Sequence, residues 1–194
     1  MCGIIGAASS RNVGKLLVQG LHKMEYRGYD SAGIALHQKD NIFNLRTLGK
    51  VSLLEDEMIE HRPKSKLGIA HTRWATHGKP SEKNAHPHES GEVNIVHNGI
   101  IENYLELKEK LVQAGYTFES ETDSEVIAHL LHQHLQSNGD LLAAMHEAIK
   151  ELDGAFAIAA IHIKDKNRLV VARNKSPLLI GVGLEENFAA SDPL

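Results

Sequence analysis

A single cysteine, Cys2, directly follows the initiator methionine of this 194-residue chain. Removal of Met1 would leave Cys2 with a free α-amine, whose ordinary pKa of about 7.7–8.0 lies close to that of a thiol, about 8.5. Such an amine can accept the thiol proton, so a terminal cysteine can act as a nucleophile without a histidine partner. A lone cysteine can equally be a small buried apolar residue. Position alone therefore leaves both interpretations open.

Two segments that follow predicted strands carry groups suited to amide chemistry. HTRWATHG (71–78) contains Arg73, whose planar guanidinium can bind a carboxylate through two hydrogen bonds. HNGIIEN (97–103) contains the step Asn98–Gly99, where a side-chain amide and a backbone N–H could together stabilise a developing oxyanion. Taken alone, an Asn-Gly step after a strand is more often a turn.

The segment ETDSEV (121–126) has the spacing of a helix capping box, in which Thr122 would cap the helix and Glu125 would reciprocate. Asp123 would then be available to bind an ammonium group. The alternative is that Asp123 itself caps the helix, and residue propensity favours it. A pair formed by Arg73 and Asp123 would suit the zwitterionic head group of an amino acid.

Histidine is unusually frequent, with 13 residues, and this raises the question of a metal site. His86 and His88 are two residues apart, whereas His129 and His132 could share one face of a predicted helix. No Cys, Asp or third His completes a spacing typical of zinc sites. We therefore expect no metal and no cofactor, and histidines that are packed or solvated.

The overall composition excludes several classes of protein. The formal net charge is −4, so no basic face for nucleic acid is indicated. No window approaches the roughly 18 consecutive apolar residues of a membrane span, and the apolar start lacks the basic region and cleavage site of a signal peptide. One cysteine forms no internal disulfide. These features predict a cytoplasmic protein.

Apolar periodicity predicts four helices. One covers 12–26 with Asn12 as its N-cap, and a second covers 103–114 with Gly115 at its left-handed C-terminal position. A third follows the capping box, and Asp140 would cap the fourth.

Strand-like runs lie between these helices, and they follow one another without an intervening helix over 155–183, which is typical of antiparallel pairing. The run AFAIAAIHI (155–163) is apolar at every second position on both faces, as in a strand buried on both sides. We therefore predict one layered α+β domain. The final run, ENFAASDPL (186–194), has no obvious closing element, so we expect a C-terminally incomplete domain. The predicted strands are CGIIGA, GIALHQ, IFNLRTL, LGIAHT, VNIVH, AFAIAAIHI, RLVVAR and LLIGVG.

Six motifs together resemble one family over the whole chain. They are MCGIIGA, EYRGYDSAGIA, HTRWATHG, NAHPH, HNGIIENY and TDSEVIAHLL. In this order they are similar to the glutaminase domain of the glutamine–fructose-6-phosphate aminotransferases, a branch of the N-terminal-cysteine (class II) amidotransferases. The tyrosine in EYRGYDSAG and the tryptophan in HTRWATHG resemble this sugar-phosphate branch more than the purine-synthesis branch.

The resemblance implies a fold and a reaction. The fold is the four-layer αββα sandwich of N-terminal nucleophile (Ntn) hydrolases. Cys2 would be the nucleophile, with its own α-amine as the base, and Asn98 and Gly99 would form the oxyanion hole. The products would be glutamate and ammonia, formed through a γ-glutamyl thioester. The resemblance also implies a set of substrate-binding residues: Arg73, Thr76 and His77 for the glutamine carboxylate, Asp123 for its ammonium, Trp74 in a mobile loop that closes over glutamine and gates ammonia, and Arg27 and Gly28 near Cys2.

The resemblance finally implies partners for the 1–194 glutaminase domain. L-glutamine would be its substrate, and a sugar-phosphate isomerase part, absent here, would use the ammonia to convert fructose 6-phosphate to glucosamine 6-phosphate, the first step of the hexosamine pathway. The full-length enzyme would be a homo-oligomer. Two alternatives stay open: an Ntn amidase with another acyl substrate, and a catalytically silent glutamine-sensing module.

Overall fold

The computed structural model describes residues 2–75 and 78–193 and contains five α-helices, two short 3₁₀ helices and ten strands within them. No helix in this part of the chain is long and apolar enough to cross a membrane. The helices are α1 (Gly14–Met24), α2 (Val51–His61), α3 (Tyr104–Gln113), α4 (Glu125–Asn138) and α5 (Leu141–Glu151). The strands are β1 (Gly3–Ser9), β2 (Ser31–His37), β3 (Ile42–Leu48), β4 (Leu67–Arg73), β5 (His88–Ser90), β6 (Val93–Ile101), β7 (Gly154–His162), β8 (Asp165–Asn174), β9 (Leu179–Val182) and β10 (Glu186–Ala190).

The strands form two antiparallel sheets. Sheet A has six strands in the order β3-β2-β4-β1-β10-β9, and sheet B has four in the order β5-β6-β7-β8. Every strand pairing within the sheets is antiparallel, as predicted from the consecutive strand runs.

Three apolar clusters separate four layers. One lies between the two sheets and includes Ile4, Ile69 and Val96. A second lies between sheet A and the helices α1 and α2, and a third lies between sheet B and the helices α3, α4 and α5. Strand β7 contributes alternate side chains to two of these clusters, Ala157 to the inner one and Ile158 to the outer one. The predicted α+β class and four-layer αββα sandwich are therefore confirmed.

Several predicted elements differ from the observed ones. Helix α1 begins at Gly14 with Val13 at the N-cap position, so Asn12 lies one residue before the predicted cap. The side-chain oxygen of Asn12 accepts the N–H of Ser65 at 3.0 Å and that of Gly14 at 3.4 Å. Helix α2 was not predicted. The final run contains strand β10, which was not predicted and which pairs with both β1 and β9. The predictions for Gly115, at φ 94°, and for Asp140, whose carboxylate accepts the N–H of Ala143, are confirmed.

The register of sheet A positions the chain terminus. Gly3 of β1 is opposite Thr72 of β4, so Cys2 lies beside the point where β4 ends at Arg73. Strand β1 has neighbours on both sides, β4 and β10, and is therefore held in the interior of the sheet. Free chain termini usually fray. Here the hydrogen bonds to the neighbouring strands on both edges of β1 hold the segment after Cys2 in place.

The predicted capping box is wrong in both of its alternatives. Ser124 occupies the N-cap position of α4 and makes no side-chain capping bond. The carboxylate of Glu125 instead accepts the backbone N–H groups of Glu119 and Ser120 at 2.8 and 2.7 Å, and Asp123 accepts the N–H of Ile101 at 2.8 Å. Glu125 therefore fixes the loop before α4, and Asp123 lies in this loop.

Burial of Glu125 acts to raise the pKa of its carboxyl, but the His129 ring, 3.5 Å away, and hydrogen bonds from the Ser120 hydroxyl and the two backbone N–H groups outweigh burial and lower the pKa to about 2. A carboxylate with a lowered pKa stabilises the fold above its unfolded-state pKa, and this contribution is lost as the pH falls towards the folded-state value. The charged form of Glu125 is therefore a stabilising element at neutral pH.

We predict that Glu125→Gln lowers the free energy of unfolding by about 2–3 kcal/mol at pH 7. The difference from the parent chain should shrink between about pH 5 and pH 2, because the parent carboxylate becomes protonated there. Urea unfolding followed by circular dichroism across this pH range measures both effects. Glu60→Gln, at an exposed position of α2, is the matched control and should change little. A difference independent of pH would contradict the assignment.

Candidate functional site

A cavity of about 290 Å³ lies at the end of the sandwich where β1 begins and β4 ends. Thr76 and His77 fall outside the described residues. Gly28 lies beside the cavity, beneath the ring of Trp74. Other residues of the lining include His86, His97, Thr122, Ser124 and Pro177. Seven residues selected from the sequence also line this cavity: Cys2, Arg27, Arg73, Trp74, Asn98, Gly99 and Asp123.

The Cys2 sulfur is held by the backbone that follows β4. Its Sγ accepts the N–H of Trp74 at 3.1 Å, and the thiol lies 3.5 Å from the carbonyl oxygen of the same residue. Burial raises the pKa of the Cys2 thiol above its ordinary value, while the N–H of Trp74 acts in the opposite direction. Because burial is the larger effect, the thiol is protonated at neutral pH and requires a base before it can act as a nucleophile.

The side-chain amide of Asn98 joins the two sheets at the cavity. Its Nδ2 donates to the carbonyl oxygen of Cys2 at 3.1 Å, and its Oδ1 lies 2.8 Å from Nε2 of His71. The amide nitrogen is therefore directed towards Cys2, and it carries a second N–H. This geometry suits a donor to a group reacting at the sulfur.

Gly99 continues β6 along the cavity wall, and the Asn98–Gly99 step is not an isolated turn. The two residues are opposite Ala157 and Phe156 of β7. The φ of Gly99 is 129°, and a Cβ at this position would lie 1.9 Å from the carbonyl oxygen of Ala155. Any side chain would collide with the neighbouring strand, so the close approach requires glycine.

A buried cation and a buried anion line the same cavity. Arg73, 4% exposed, donates from Nη2 to the carbonyl oxygen of Gly78 at 3.2 Å. Asp123, 3% exposed, accepts the N–H of Ile101 through one carboxylate oxygen. Buried charges of opposite sign on one cavity wall are suited to a ligand that carries both charges itself.

Asp30 is a site residue that the sequence analysis missed. Its Oδ2 accepts the N–H of Ala75 at 2.5 Å, and its Oδ1 lies 3.6 Å from Nη1 of Arg73. Its backbone N–H also donates to the carbonyl oxygen of Arg73 at 2.7 Å. Asp30 thus fixes both the guanidinium and the chain that leaves β4. It stands in the quoted motif EYRGYDSAGIA, but no spacing rule distinguishes it from a residue that starts a strand.

Arg27 and Trp74 complete the wall near Cys2. Nη1 of Arg27 lies 3.4 Å from the Cys2 carbonyl oxygen, and its Nη2 forms an ion pair with Asp192. The indole of Trp74 is 53% exposed and packs on Gly28, where an added Cβ would lie 2.6 Å from ring atom Cζ3. Gly28, with φ 73°, allows the ring to lie directly on the backbone.

Four histidines are buried at the cavity. His86 and His97 line it, and the rings of His71 and His88 pack against that of His86. Burial lowers the pKa of His71 and His88 to about 3 and that of His97 to about 4, and it lowers the pKa of His86 well below its ordinary value. These rings are therefore neutral at physiological pH. Within residues 2–75 and 78–193, no group of three or more His, Cys, Asp or Glu side chains is arranged to hold a metal ion.

Comparisons with solved structures find the same fold in other proteins. Glutamine phosphoribosylpyrophosphate amidotransferase from Bacillus subtilis superposes with a TM-score of 0.84 at 26% identity, over 98% of this chain and 42% of that one. A glutamine aminotransferase class-II domain protein from Silicibacter pomeroyi gives a TM-score of 0.66 at 14% identity, over 97% of this chain and 88% of that one, and supports the fold alone.

Curated relatives match the chain over its whole length. Glutamine–fructose-6-phosphate aminotransferase (isomerizing) of Acinetobacter baylyi is 52% identical over 194 residues, and that of Legionella pneumophila (strain Paris) is 55% identical over 196. Each match covers 100% of this chain and 32% of the relative, so the chain spans about a third of the length of these relatives.

A family model described as a glutamine amidotransferase domain matches residues 71–193. These residues make up more than half of the chain and include Arg73, Asn98, Gly99 and Asp123. The resemblance drawn from the motifs is thus confirmed, and the chain belongs to the glutamine amidotransferase family.

Proposed function

We propose that this chain hydrolyses the side-chain amide of L-glutamine to glutamate and ammonia, with Cys2 as the nucleophile. One observation carries the proposal: a single cavity is lined by the Cys2 thiol, by the Asn98 amide and Gly99, and by the oppositely charged Arg73 and Asp123. These groups correspond to the two requirements of the reaction, which are attack on a neutral amide carbon and recognition of an amino-acid head group.

The head group of glutamine would be bound by the buried charges. Arg73 would bind the α-carboxylate, and Asp123 would bind the α-ammonium through its carboxylate. Asp30, 3.6 Å from Arg73, partly compensates the guanidinium charge before substrate is present, which reduces the cost of keeping that cation buried. Thr76 and His77 remain predicted carboxylate ligands, and Arg27 and Gly28 remain predicted neighbours of Cys2.

The chemistry would begin at the terminus. Once Met1 is removed, the α-amine of Cys2 takes the proton of Sγ, and the thiolate attacks the amide carbon of glutamine. The resulting oxyanion accepts hydrogen bonds from the Asn98 amide and the Gly99 N–H. The protonated amine then donates to the leaving nitrogen, and the C–N bond breaks to give ammonia and a γ-glutamyl thioester. Water attacks the thioester, with the amine again acting as base, and releases glutamate.

The two alternatives receive less support. An amidase for an unrelated acyl group would have no use for a buried Arg73 paired in one cavity with Asp123. A silent sensing module would not need the amide of Asn98 directed at Cys2. A thiol-directed glutamine analogue that labels Cys2, together with an assay for released ammonia, distinguishes the three. Labelling with turnover supports the proposal, whereas binding without turnover would favour the sensor.

The names of the curated relatives support a finer proposal. They are glutamine–fructose-6-phosphate aminotransferases, so we infer that the ammonia aminates fructose 6-phosphate, giving glucosamine 6-phosphate in hexosamine synthesis. That step would require a sugar-phosphate part corresponding to the length of the relatives that residues 1–194 do not span. The exposed Trp74 would close over glutamine and guide ammonia. A cytoplasmic location and a homo-oligomeric whole enzyme remain predictions.

The self-base mechanism makes a prediction about the terminus. Chain that retains Met1, verified by intact mass, should release no measurable ammonia from glutamine, because its Cys2 nitrogen is an amide and cannot accept a proton. Treatment of the same material with a methionine aminopeptidase should restore turnover and serves as the matched control. Cys2→Ala should be inactive in either state. Full turnover by chain with a verified Met1 would refute the mechanism.

The assigned roles predict different kinetic effects for Asn98 and Asp123. Asn98→Ala should lower kcat by about 10²–10³-fold with little change in KM, the usual effect of removing one oxyanion donor. Asp123→Asn keeps an oxygen for the Ile101 N–H but loses the charge, so it should act mainly on KM, as should Arg73→Ala. Steady-state glutaminase assays provide both constants.

Exposed residues supply the controls for this pair. Asn167→Ala and Asp56→Asn lie at exposed positions away from the cavity and should leave both constants unchanged. An unchanged kcat with a raised KM for Asn98→Ala would show that the role of Asn98 is wrongly assigned.

A further inference from the structure

The orientation of the Asn98 amide depends on a group outside the predicted site. A side-chain amide has nearly identical shape when its oxygen and nitrogen are exchanged, so only its hydrogen-bond partners select one orientation. Here Oδ1 of Asn98 lies 2.8 Å from Nε2 of His71, and Nδ2 donates to the Cys2 carbonyl oxygen at 3.1 Å. The reversed amide would set two oxygens against each other at Cys2 and two N–H groups against each other at His71.

His71 is held in one protonation state. It is 1% exposed, and burial lowers its pKa to about 3, so the ring is neutral and carries one N–H. The positive charge of Arg73 also disfavours protonation of the ring. The Cys2 carbonyl oxygen can only accept a hydrogen bond, so it directs the Asn98 nitrogen towards Cys2 and Oδ1 towards His71. The neutral ring completes the contact with Oδ1 when its proton is on Nε2. The ring of His71 is therefore a donor towards Asn98 at physiological pH.

His71 is also held in place by its surroundings. It lies in β4, with Ile4 of β1 opposite on one side and Gly33 of β2 opposite on the other. The ring of His86 packs against it with centroids 4.1 Å apart. The carbonyl oxygen of His86 approaches Gly33 so closely that a Cβ there would lie 2.0 Å from it. The donor is thus rigidly attached to sheet A, whereas Asn98 belongs to sheet B.

We propose that His71 is a positioning residue, which holds the Asn98 amide with its nitrogen towards Cys2 so that an N–H is available to the oxyanion. The inference rests on the proposed glutaminase function. His71 lines no part of the cavity and does not touch the substrate in this proposal; it acts only through Asn98. Loss of the donor would remove one of the two contacts that select this orientation, so a larger fraction of the Asn98 amides would turn an oxygen towards the developing negative charge.

The substitutions His71→Asn and His71→Gln, which introduce side chains of similar polarity, distinguish a positioning role of His71 from a role in packing. The amide nitrogen of glutamine can reach the position of Nε2, whereas asparagine is shorter and cannot. We expect His71→Asn to lower kcat by about 10²-fold, since a small misplacement near the reacting atoms has effects of this size. KM should stay within about twofold. His71→Gln should recover most of the kcat. If His71→Asn and His71→Gln lost kcat to the same extent, or if KM changed as much as kcat, the role of His71 would be structural and the proposal would be overturned.

A double substitution tests whether His71 acts through Asn98. In an Asn98→Ala background, His71→Asn should cause no further loss of kcat, because the group that it positions is already absent. If the kcat losses of the two single substitutions multiplied in the double variant, the proposal would be overturned. Thermal unfolding of each variant, compared with the parent chain, identifies any loss of kcat that follows from unfolding.

A readout without turnover separates this inference from the proposed function. The side-chain ¹⁵N resonance of Asn98 should shift in His71→Asn and return towards the parent position in His71→Gln. Unchanged resonances would overturn the positioning role even if the parent chain is an active glutaminase. A parent chain that releases no ammonia after verified removal of Met1 would instead refute the proposed function, and the resonances would still decide the role of His71.

Discussion

The pairing of β1 with β4 is the constraint on which the site depends. The register that sets Gly3 opposite Thr72 also sets Cys2 beside Trp74, whose N–H reaches the sulfur at 3.1 Å. A chain terminus is normally the least ordered part of a domain. Here the terminal strand lies between β4 and β10, so its position is determined by ladder bonds on both edges. This pairing places Cys2, the proposed nucleophile, accurately although it lies at the start of the chain.

The charges of the site are balanced against burial. Arg73 and Asp123 are almost fully buried, and each has partners that reduce the cost: Asp30 and the carbonyl of Gly78 for the guanidinium, and the N–H of Ile101 for the carboxylate. The histidines packed behind them add no further charge, because burial keeps their rings neutral. Among the described residues that line the cavity, Arg27, Arg73 and Asp123 carry charge, and Asp192 and Asp30 lie beside the two guanidinium groups. Charges of both signs on one wall are suited to a zwitterion.

Much of the fold and of the site was predictable, because local signals and tertiary structure agree there. The apolar pattern of β7 and the cap at Asp140 are local features, and both predictions are confirmed. Glu125 shows where such reasoning fails. Its spacing fits a capping box, but the N–H groups of Glu119 and Ser120 come within reach of its carboxylate through the path of the loop. Tertiary geometry therefore overrides the local preference.

Asp30 and His71 escaped prediction for a related reason. Neither stands in a spacing that indicates chemistry, and each contacts a residue far away in the sequence, Asp30 the N–H of Ala75 and His71 the side chain of Asn98. The motifs that were recognised contain the groups expected to meet the substrate, whereas the groups that orient them are identifiable only once the strands are paired.

The contacts of the Cys2 carbonyl oxygen show how Cys2 and Asn98 are held relative to each other. It accepts the amide of Asn98 from sheet B, and Arg27, which is tied to Asp192 beyond β10, approaches it at 3.4 Å. Cys2, the proposed nucleophile, is thereby fixed from both sheets and from a segment 190 positions away in the chain. Because an oxyanion donor is effective only when it is held before the charge develops, the contacts that fix Cys2 and Asn98 relative to each other are as necessary to the proposed reaction as the thiol itself.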